Sequence, residues 1–229
     1  MAHNEKYRVL VLTSDPNTID KVTAIANKAF ANVTVIFWEF GNVATKGDVI
    51  KQMEACDYNL LISYINGIIF KHHHLARASW GAINVHPSPP EQPGCWGIWC
   101  APVIRRDIRT HHGVTVHEID EDIDHGPIYM VERWEVAPTD SIQDVEHRSD
   151  EVCMKMYEAV VARLAESTNG TACFERLDEA WNPATGNFRP EDVRDWFSKL
   201  DPAHPAHQER VWLNHPNAIY SPPYFSDLD

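Results

Sequence analysis

The chain has 229 residues, with 20 Lys and Arg against 33 Asp and Glu, a formal net charge of −13 and a pI near 5.4. That length buries a real core and makes one α/β domain with at most a short appendage. The acidity argues against gripping a nucleic-acid backbone, which needs clustered Lys and Arg to displace counterions, although a compact pocket with a few cations can still hold a phosphate.

Tyr7 to Leu12 (Y-R-V-L-V-L) is an aliphatic run that ends at Thr13-Ser14-Asp15-Pro16, a turn and helix-start signal, and is expected to form the first strand. From Asn17 to Phe30 the apolar residues Ile19, Val22, Ile25, Ala26 and Phe30 recur at helical spacing, and Val33 to Phe37 is a second strand. A weaker helix near Val49 to Cys56, a strand Asn59 to Ser63, a short helix near His73 to Ala78 and a strand Ala82 to Val85 follow. Strands alternating with helices imply parallel crossovers, hence an α/β fold with a doubly wound, mostly parallel Rossmann-like sheet. Its ligand crevice lies beyond the carboxyl ends of the strands. Gly97 to Arg105 reads as a helix interrupted by Pro102, and Val114 to Glu118 and Ile128 to Trp134 as further strands. Ser141 to Ala165 is the longest helix, with Ser141 as N-cap and Val145, Val152, Met156, Val160 and Leu164 as its apolar stripe.

The spacing therefore predicts a first domain over residues 1–167 and an extension over 168–229. Trp181, Phe188, Trp196, Phe197, Trp212, Tyr220, Tyr224 and Phe225 are too many aromatics for a solvated linker. The extension is expected to pack on the core and to offer a homodimer interface. Five irregularly spaced cysteines without a C-x-x-C pair fit a reduced, cytoplasmic setting. The N-terminus lacks the pattern of a signal peptide, and no apolar run approaches the roughly 18 residues that span a bilayer, so no membrane partner is expected.

Gly81-Ala82-Ile83-Asn84-Val85-His86-Pro87 puts an amide and an imidazole two positions apart where a strand ends, and period two sends them to one face. Acyl transfer to an amine needs such a pair, one group for the tetrahedral oxyanion and one for protons. The plainer alternative is that Asn84 caps a turn and His86 is a satisfied loop histidine. Downstream, the acidic loop Ile119 to Asp124 ends in Asp124-His125-Gly126-Pro127-Ile128, where Gly126 allows a tight turn. A carboxylate such as Asp124 bonded to His86 fixes its tautomer and favours its charged form.

Three motifs in this order resemble those of the formyltransferases that use N10-formyltetrahydrofolate: Asn84-Val85-His86-Pro87-Ser88, Gly113-Val114-Thr115-Val116-His117 and Asp124-His125-Gly126-Pro127-Ile128. The resemblance implies a formyltransferase fold over the first domain and a catalytic trio of Asn84, His86 and Asp124. It leaves open which group takes the amine's proton. It also implies that the folate lies against Tyr64, Gly67, Ile68, Ile69 and Phe70 on one side and Glu121, Asp122 and Ile123 on the other.

Members of this family differ in the amine they formylate. The proline- and aromatic-rich stretch Pro87 to Trp99, the D-H-G-P-I ending and loose echoes at Arg194-Asp195-Trp196-Phe197 and Pro222-Pro223-Tyr224-Phe225 are most similar to the nucleotide-linked sugar N-formyltransferases. The resemblance thus implies a nucleotide-linked, dTDP-type amino sugar as acceptor, held by Ser88, Pro89, Trp96 and Trp99. Glycinamide ribonucleotide is the alternative acceptor, and a non-catalytic folate or nucleotide-sugar binder the alternative class. Initiator tRNA is disfavoured by the short tail and acidic charge. His72-His73-His74 and His111-His112 lack the i, i+4 spacing and carboxylate of a helical zinc site, so no metal is expected. Neither a G-x-G-x-x-G after the first strand nor a P-loop is present.

Overall fold

Six apolar runs pair into one sheet of strand order β2-β1-β3-β4-β5-β6, in a computed structural model that describes residues 4–94, 96–182 and 188–206. The strands are β1 (Asn4–Thr13), β2 (Phe30–Phe37), β3 (Leu60–Tyr64), β4 (Ala82–His86), β5 (His111–Glu118) and β6 (Ile128–Glu135). The helices are α1 (Ile19–Ala29), α2 (Val43–Ala55), α3 (His72–Leu75), α4 (Ala101–Ile104), α5 (Ile142–Glu166) and α6 (Pro190–Lys199). Strands β1 to β4 pair in parallel, as the alternating pattern predicts. β5 runs antiparallel to both β4 and β6. Only a loop joins β5 to β6, and a loop suffices for antiparallel neighbours, whereas parallel ones need a crossover.

Alternation along the strands feeds two cores. Tyr7, Val9 and Val11 of β1 join Ile83 and Val85 of β4 and the α1 and α5 stripes in one. Leu10, Leu12, Leu61 and Ala82 meet Val49 and Met53 of α2 in the other. β3 is buried along its whole length, as a strand covered on both faces must be. Helix α5 buries all five residues of the predicted stripe. Ser141 caps it, accepting from the Asp144 N–H at 3.0 Å while Asp144 accepts from the Ser141 N–H at 2.9 Å.

Two helices differ from expectation. α2 starts at Val43, six residues before the predicted Val49, because Asn42 caps it by accepting from the Thr45 N–H. Its first half offers no apolar stripe to read, and Val43 is 72% exposed. In the predicted helix Gly97 to Arg105 only Ala101–Ile104 is helical. Gly97 has a left-handed φ of 68° that a helix excludes, and Pro102 falls in the first turn, where a missing N–H costs nothing.

The chain beyond α5 is stitched to the sheet. Thr171 N–H donates to the Trp80 carbonyl, Leu177 N–H to Ile128 and Asn182 N–H to Pro90, at 2.8, 2.8 and 2.9 Å. α6 buries Val193, Trp196 and Phe197. Cys95, Trp212, Tyr220 and the Pro222-Pro223-Tyr224-Phe225 element lie outside the described residues. Cys56, Cys100, Cys153 and Cys173 are free thiols. Among the described residues no helix is long and apolar enough to cross a membrane.

Candidate active site

β1 is flanked by β2 and β3, so the chain reverses direction across the sheet there, and a crevice opens beyond the strand ends. A cleft at this point is lined by Ser14 after β1, Phe40 after β2, Ile65 and Asn66 after β3, and Asn84 to Pro87 at the end of β4. Ile98 and Trp99 close one wall. Ile65 sits at φ 42°, a strained value for a β-branched residue, held by its N–H to Val85 and its carbonyl to Ser14. Gly67 has no Cβ because the Phe40 ring occupies that space.

Strand register assembles the chemical groups. Asn84 of β4 lies opposite His117 of β5, and His86 opposite Thr115. A bulge between Val116 and His117 locally re-aims the strand. Asn84 Nδ2 is 3.0 Å from His117 Nε2, and His117 Nδ1 is 2.7 Å from the Glu118 carbonyl oxygen. The Nδ1 position therefore carries a proton, and in the neutral ring Nε2 accepts from Asn84. Asn84 Oδ1 is buried without a partner, and of the two hydrogens on Nδ2 His117 takes one, which leaves the other to donate elsewhere.

Asp124 bridges the two imidazoles. Its Oδ1 is 3.3 Å from His117 Nε2, its Oδ2 is 3.6 Å from His86 Nδ1, and Oδ2 also accepts the Gly94 N–H at 2.7 Å. The 3.6 Å separation is an ion-pair distance rather than a hydrogen bond. The sequence predicts the tight turn here at Gly126, but Asp124 itself takes the left-handed conformation, at φ 44°. Gly126 is required for a different reason: a Cβ there would run into the Glu118 carbonyl.

Ser88 Oγ lies 2.5 Å from His86 Nε2 and within hydrogen-bond reach of the Gln92 carbonyl, which is itself 3.2 Å from His86 Nε2. With Nδ1–H facing Asp124, the neutral ring accepts the Ser88 proton at Nε2. Once Nε2 is protonated it donates to the Gln92 carbonyl, and Ser88 turns its proton there too. Burial holds the His86 pKa below its ordinary 6.5, against the opposing pull of Asp124. Burial alone would raise Asp124, but the charge of His86, the His117 contact and the Gly94 N–H more than offset it and hold the carboxyl well below the usual range. At neutral pH the pair rests as carboxylate and neutral imidazole.

The other predicted contacts divide. Trp99 lines the cleft, whereas Trp96 does not and offers its carbonyl to Gln92. Ser88 and Pro89 are buried under the loop, so Ser88 touches His86 instead of facing the cleft. Tyr64 is a core residue, packed edge-to-face on Tyr157 of α5 at 5.2 Å. Ile68 and Phe70 turn into the second core, while Ile69 and Ile123 are 44% and 59% exposed. Glu121 and Asp122 are exposed, and Glu121 pairs with His72 of α3 at 2.8 Å. His117 lies within a motif of the family without an assigned role, and Trp181, whose ring touches both imidazoles, is marked by the sequence only as one of the aromatics expected to pack on the core.

Glu54, His73 and His74 bring three possible metal-ligand atoms within 4.8 Å. Lys71 N–H donates to His74 Nδ1, so the proton of the neutral ring is on Nε2, directed at Glu54 3.2 Å away. That nitrogen has no lone pair for a metal, and the cluster is a hydrogen-bonded one.

The family described as formyl transferase matches residues 3–161. The phosphoribosylglycinamide formyltransferase of Bacillus subtilis is 33% identical over 88 residues, 38% of this chain and 44% of that protein. The chain spans about half the length of the curated relatives it matches. Two solved structures share the fold. A 4-N formyltransferase from Francisella tularensis has a TM-score of 0.63 at 19% identity, covering 87% of this chain and 83% of that one. The N-formyltransferase from Helicobacter canadensis, complexed with folinic acid and dTDP-3-aminofucose, has a TM-score of 0.62 at 16% identity, covering 81% and 71%.

Proposed function

The chain belongs to the formyl transferase family, and on that premise we propose that it is an N-formyltransferase that moves a formyl group from N10-formyltetrahydrofolate to the amine of a nucleotide-linked amino sugar. The observation that carries this reading is the convergence of the Asn84 amide and the His86 imidazole on the cleft, with Asp124 behind them. The donor supplies an activated formyl group. Asn84 Nδ2 donates to the formyl oxygen as it gains charge on attack by the amine, in a site where a fixed dipole counts for more than in water. Neutral His86 takes up a proton, Asp124 stabilises the resulting imidazolium, and the proton is returned as the donor nitrogen leaves. The exposed side chains of Ile69 and Ile123 on the two segments named above suit a flat heterocycle.

The turn after β1 supports a sugar acceptor over glycinamide ribonucleotide. A helix N-terminus following the first strand is a natural phosphate site, but here Asp15 fills it, accepting from Asn17 N–H at 2.9 Å and from the Thr18 hydroxyl. Burial pushes Glu146 and Asp150 of α5 up to about 8 and about 7, helped at Glu146 by the charges of Asp150 and Asp15 and at Asp150 by that of Asp15. A phosphate monoester at this turn would meet the Asp15 carboxylate, whereas sugar hydroxyls can bond it. The free thiols support a reducing, cytoplasmic setting. Homodimerisation through residues 168–229 is proposed on aromatic content alone.

The test is incubation with N10-formyltetrahydrofolate and a panel of dTDP- and UDP-linked amino sugars plus glycinamide ribonucleotide, following tetrahydrofolate release. Release with an amino-sugar nucleotide is expected. The matched curated relatives favour a second reading, and release with glycinamide ribonucleotide alone would establish it.

A further inference from the structure

The catalytic trio has a neighbour from beyond α5. The Trp181 ring packs edge-to-face on His117, with centroids 4.9 Å apart and planes at 83°, and on His86 at 5.7 Å and 69°. Its indole N–H donates to the Gly126 carbonyl at 2.9 Å. The next residue, Asn182, donates its N–H to the Pro90 carbonyl in the loop after β4. Trp181 does not line the cleft. One side chain thus touches both imidazoles and ties down the turn that begins at Asp124, whose φ of 44° persists only if its surroundings hold it.

We propose that Trp181 is a positioning residue of this site: its indole N–H pins the Asp124–Gly126 turn, and its ring shields the His86 and His117 pair from water. The catalytic role given to His86 rests on the function proposed above. The titratable groups facing His86 are Asp124 from the acidic loop and His117 and His112 from β5. The Ser88 hydroxyl and Gln92 carbonyl on its other side are neutral. Burial is the largest cause that disfavours the charged form of His86. Removing the indole admits water to that ring, which makes protonation easier, and loosens the carboxylate that orients the imidazolium, which makes its placement worse.

The experiment uses the full chain labelled with carbon-13 at histidine Cε1, with His86→Asn and His117→Asn to assign the resonances. Titrations are followed by NMR in the wild type, Trp181→Ala and Trp181→Phe, beside kcat and KM for donor and acceptor. In Trp181→Ala the His86 midpoint is expected to rise by at least about half a pH unit. The kcat value is expected to fall about tenfold or more, with acceptor KM within about twofold. Trp181→Phe keeps the ring, so the midpoint stays near that of the wild type and part of kcat is recovered. If Trp181→Ala loses cooperative melting, Trp181→Leu replaces it under the same criteria. An unchanged His86 midpoint, or an unchanged kcat, overturns the proposal. The titration needs no substrate, so a wild-type protein that turns over no acceptor would defeat the proposed function while the midpoint still decides Trp181.

Discussion

Asp124→Asn separates the chemical part of the site from its architecture. The amide oxygen of Asn can still accept the Gly94 N–H now bound at 2.7 Å. What is lost there is the assistance of charge, about 1 kcal/mol from the difference between charged and neutral hydrogen bonds. For a domain of this size that lowers Tm by about 2–4 °C. The loss of rate should be far larger, because the imidazolium of His86 no longer has a carboxylate 3.6 Å from Nδ1. Removing that support is expected to cost about 10²–10⁴ in kcat/KM, the usual span of general acid–base catalysis. Asp124 raises the His86 pKa, so in the variant the acid limb of the rate profile should move to lower pH as the plateau falls. Calorimetry and kcat/KM across pH measure the two effects on one sample. A plateau within about tenfold of the wild type would refute the reasoning, as would inactivation that merely tracks a collapse in Tm.

Ser88→Ala removes the hydroxyl 2.5 Å from His86 Nε2 and should lower kcat about tenfold with acceptor KM unchanged; a KM effect alone would mean Ser88 contacts the acceptor. Gly126→Ala drives a Cβ into the Glu118 carbonyl and should destabilise by about 2–4 kcal/mol in urea melts, with activity lost through the adjacent Asp124 turn. Glu146 and Asp150 have raised pKa values, so the stability they contribute is fully present below their ordinary values of 4.5 and 3.8 and is lost progressively as pH rises from there to about 8 and about 7. Thermal melts should therefore show Tm falling across that window, and the Glu146→Gln, Asp150→Asn double variant should flatten the fall.

The parts legible in sequence were those with a local cause. The buried strands, the α5 stripe with its Ser141 cap, and the period-two placement of Asn84 and His86 all follow from side-chain spacing. α2 lost its first half because Val43 and its neighbours bury nothing that periodicity can detect. The resemblance sets Tyr64 against the folate, yet it belongs to a strand buried on both faces, where alternation cannot say which face meets solvent. The antiparallel register that sets His117 against Asn84 joins residues 33 positions apart. Trp181 reaches His86 across a still longer stretch of chain, and no local pattern encodes such a contact. The resemblance implies Ser88 as an acceptor contact. Here the loop folds under itself so that its carbonyl at Gln92 and the Ser88 hydroxyl can satisfy His86.

The central claim is transfer of the formyl group to an acceptor amine, and mass spectrometry of the acceptor tests it most directly. After incubation with N10-formyltetrahydrofolate, an amino-sugar nucleotide should gain the mass of one formyl group in exchange for one amine hydrogen, in step with tetrahydrofolate release, and His86→Ala should abolish both. Tetrahydrofolate release with every acceptor unmodified, or a formylated sugar formed equally well by His86→Ala, would contradict the account.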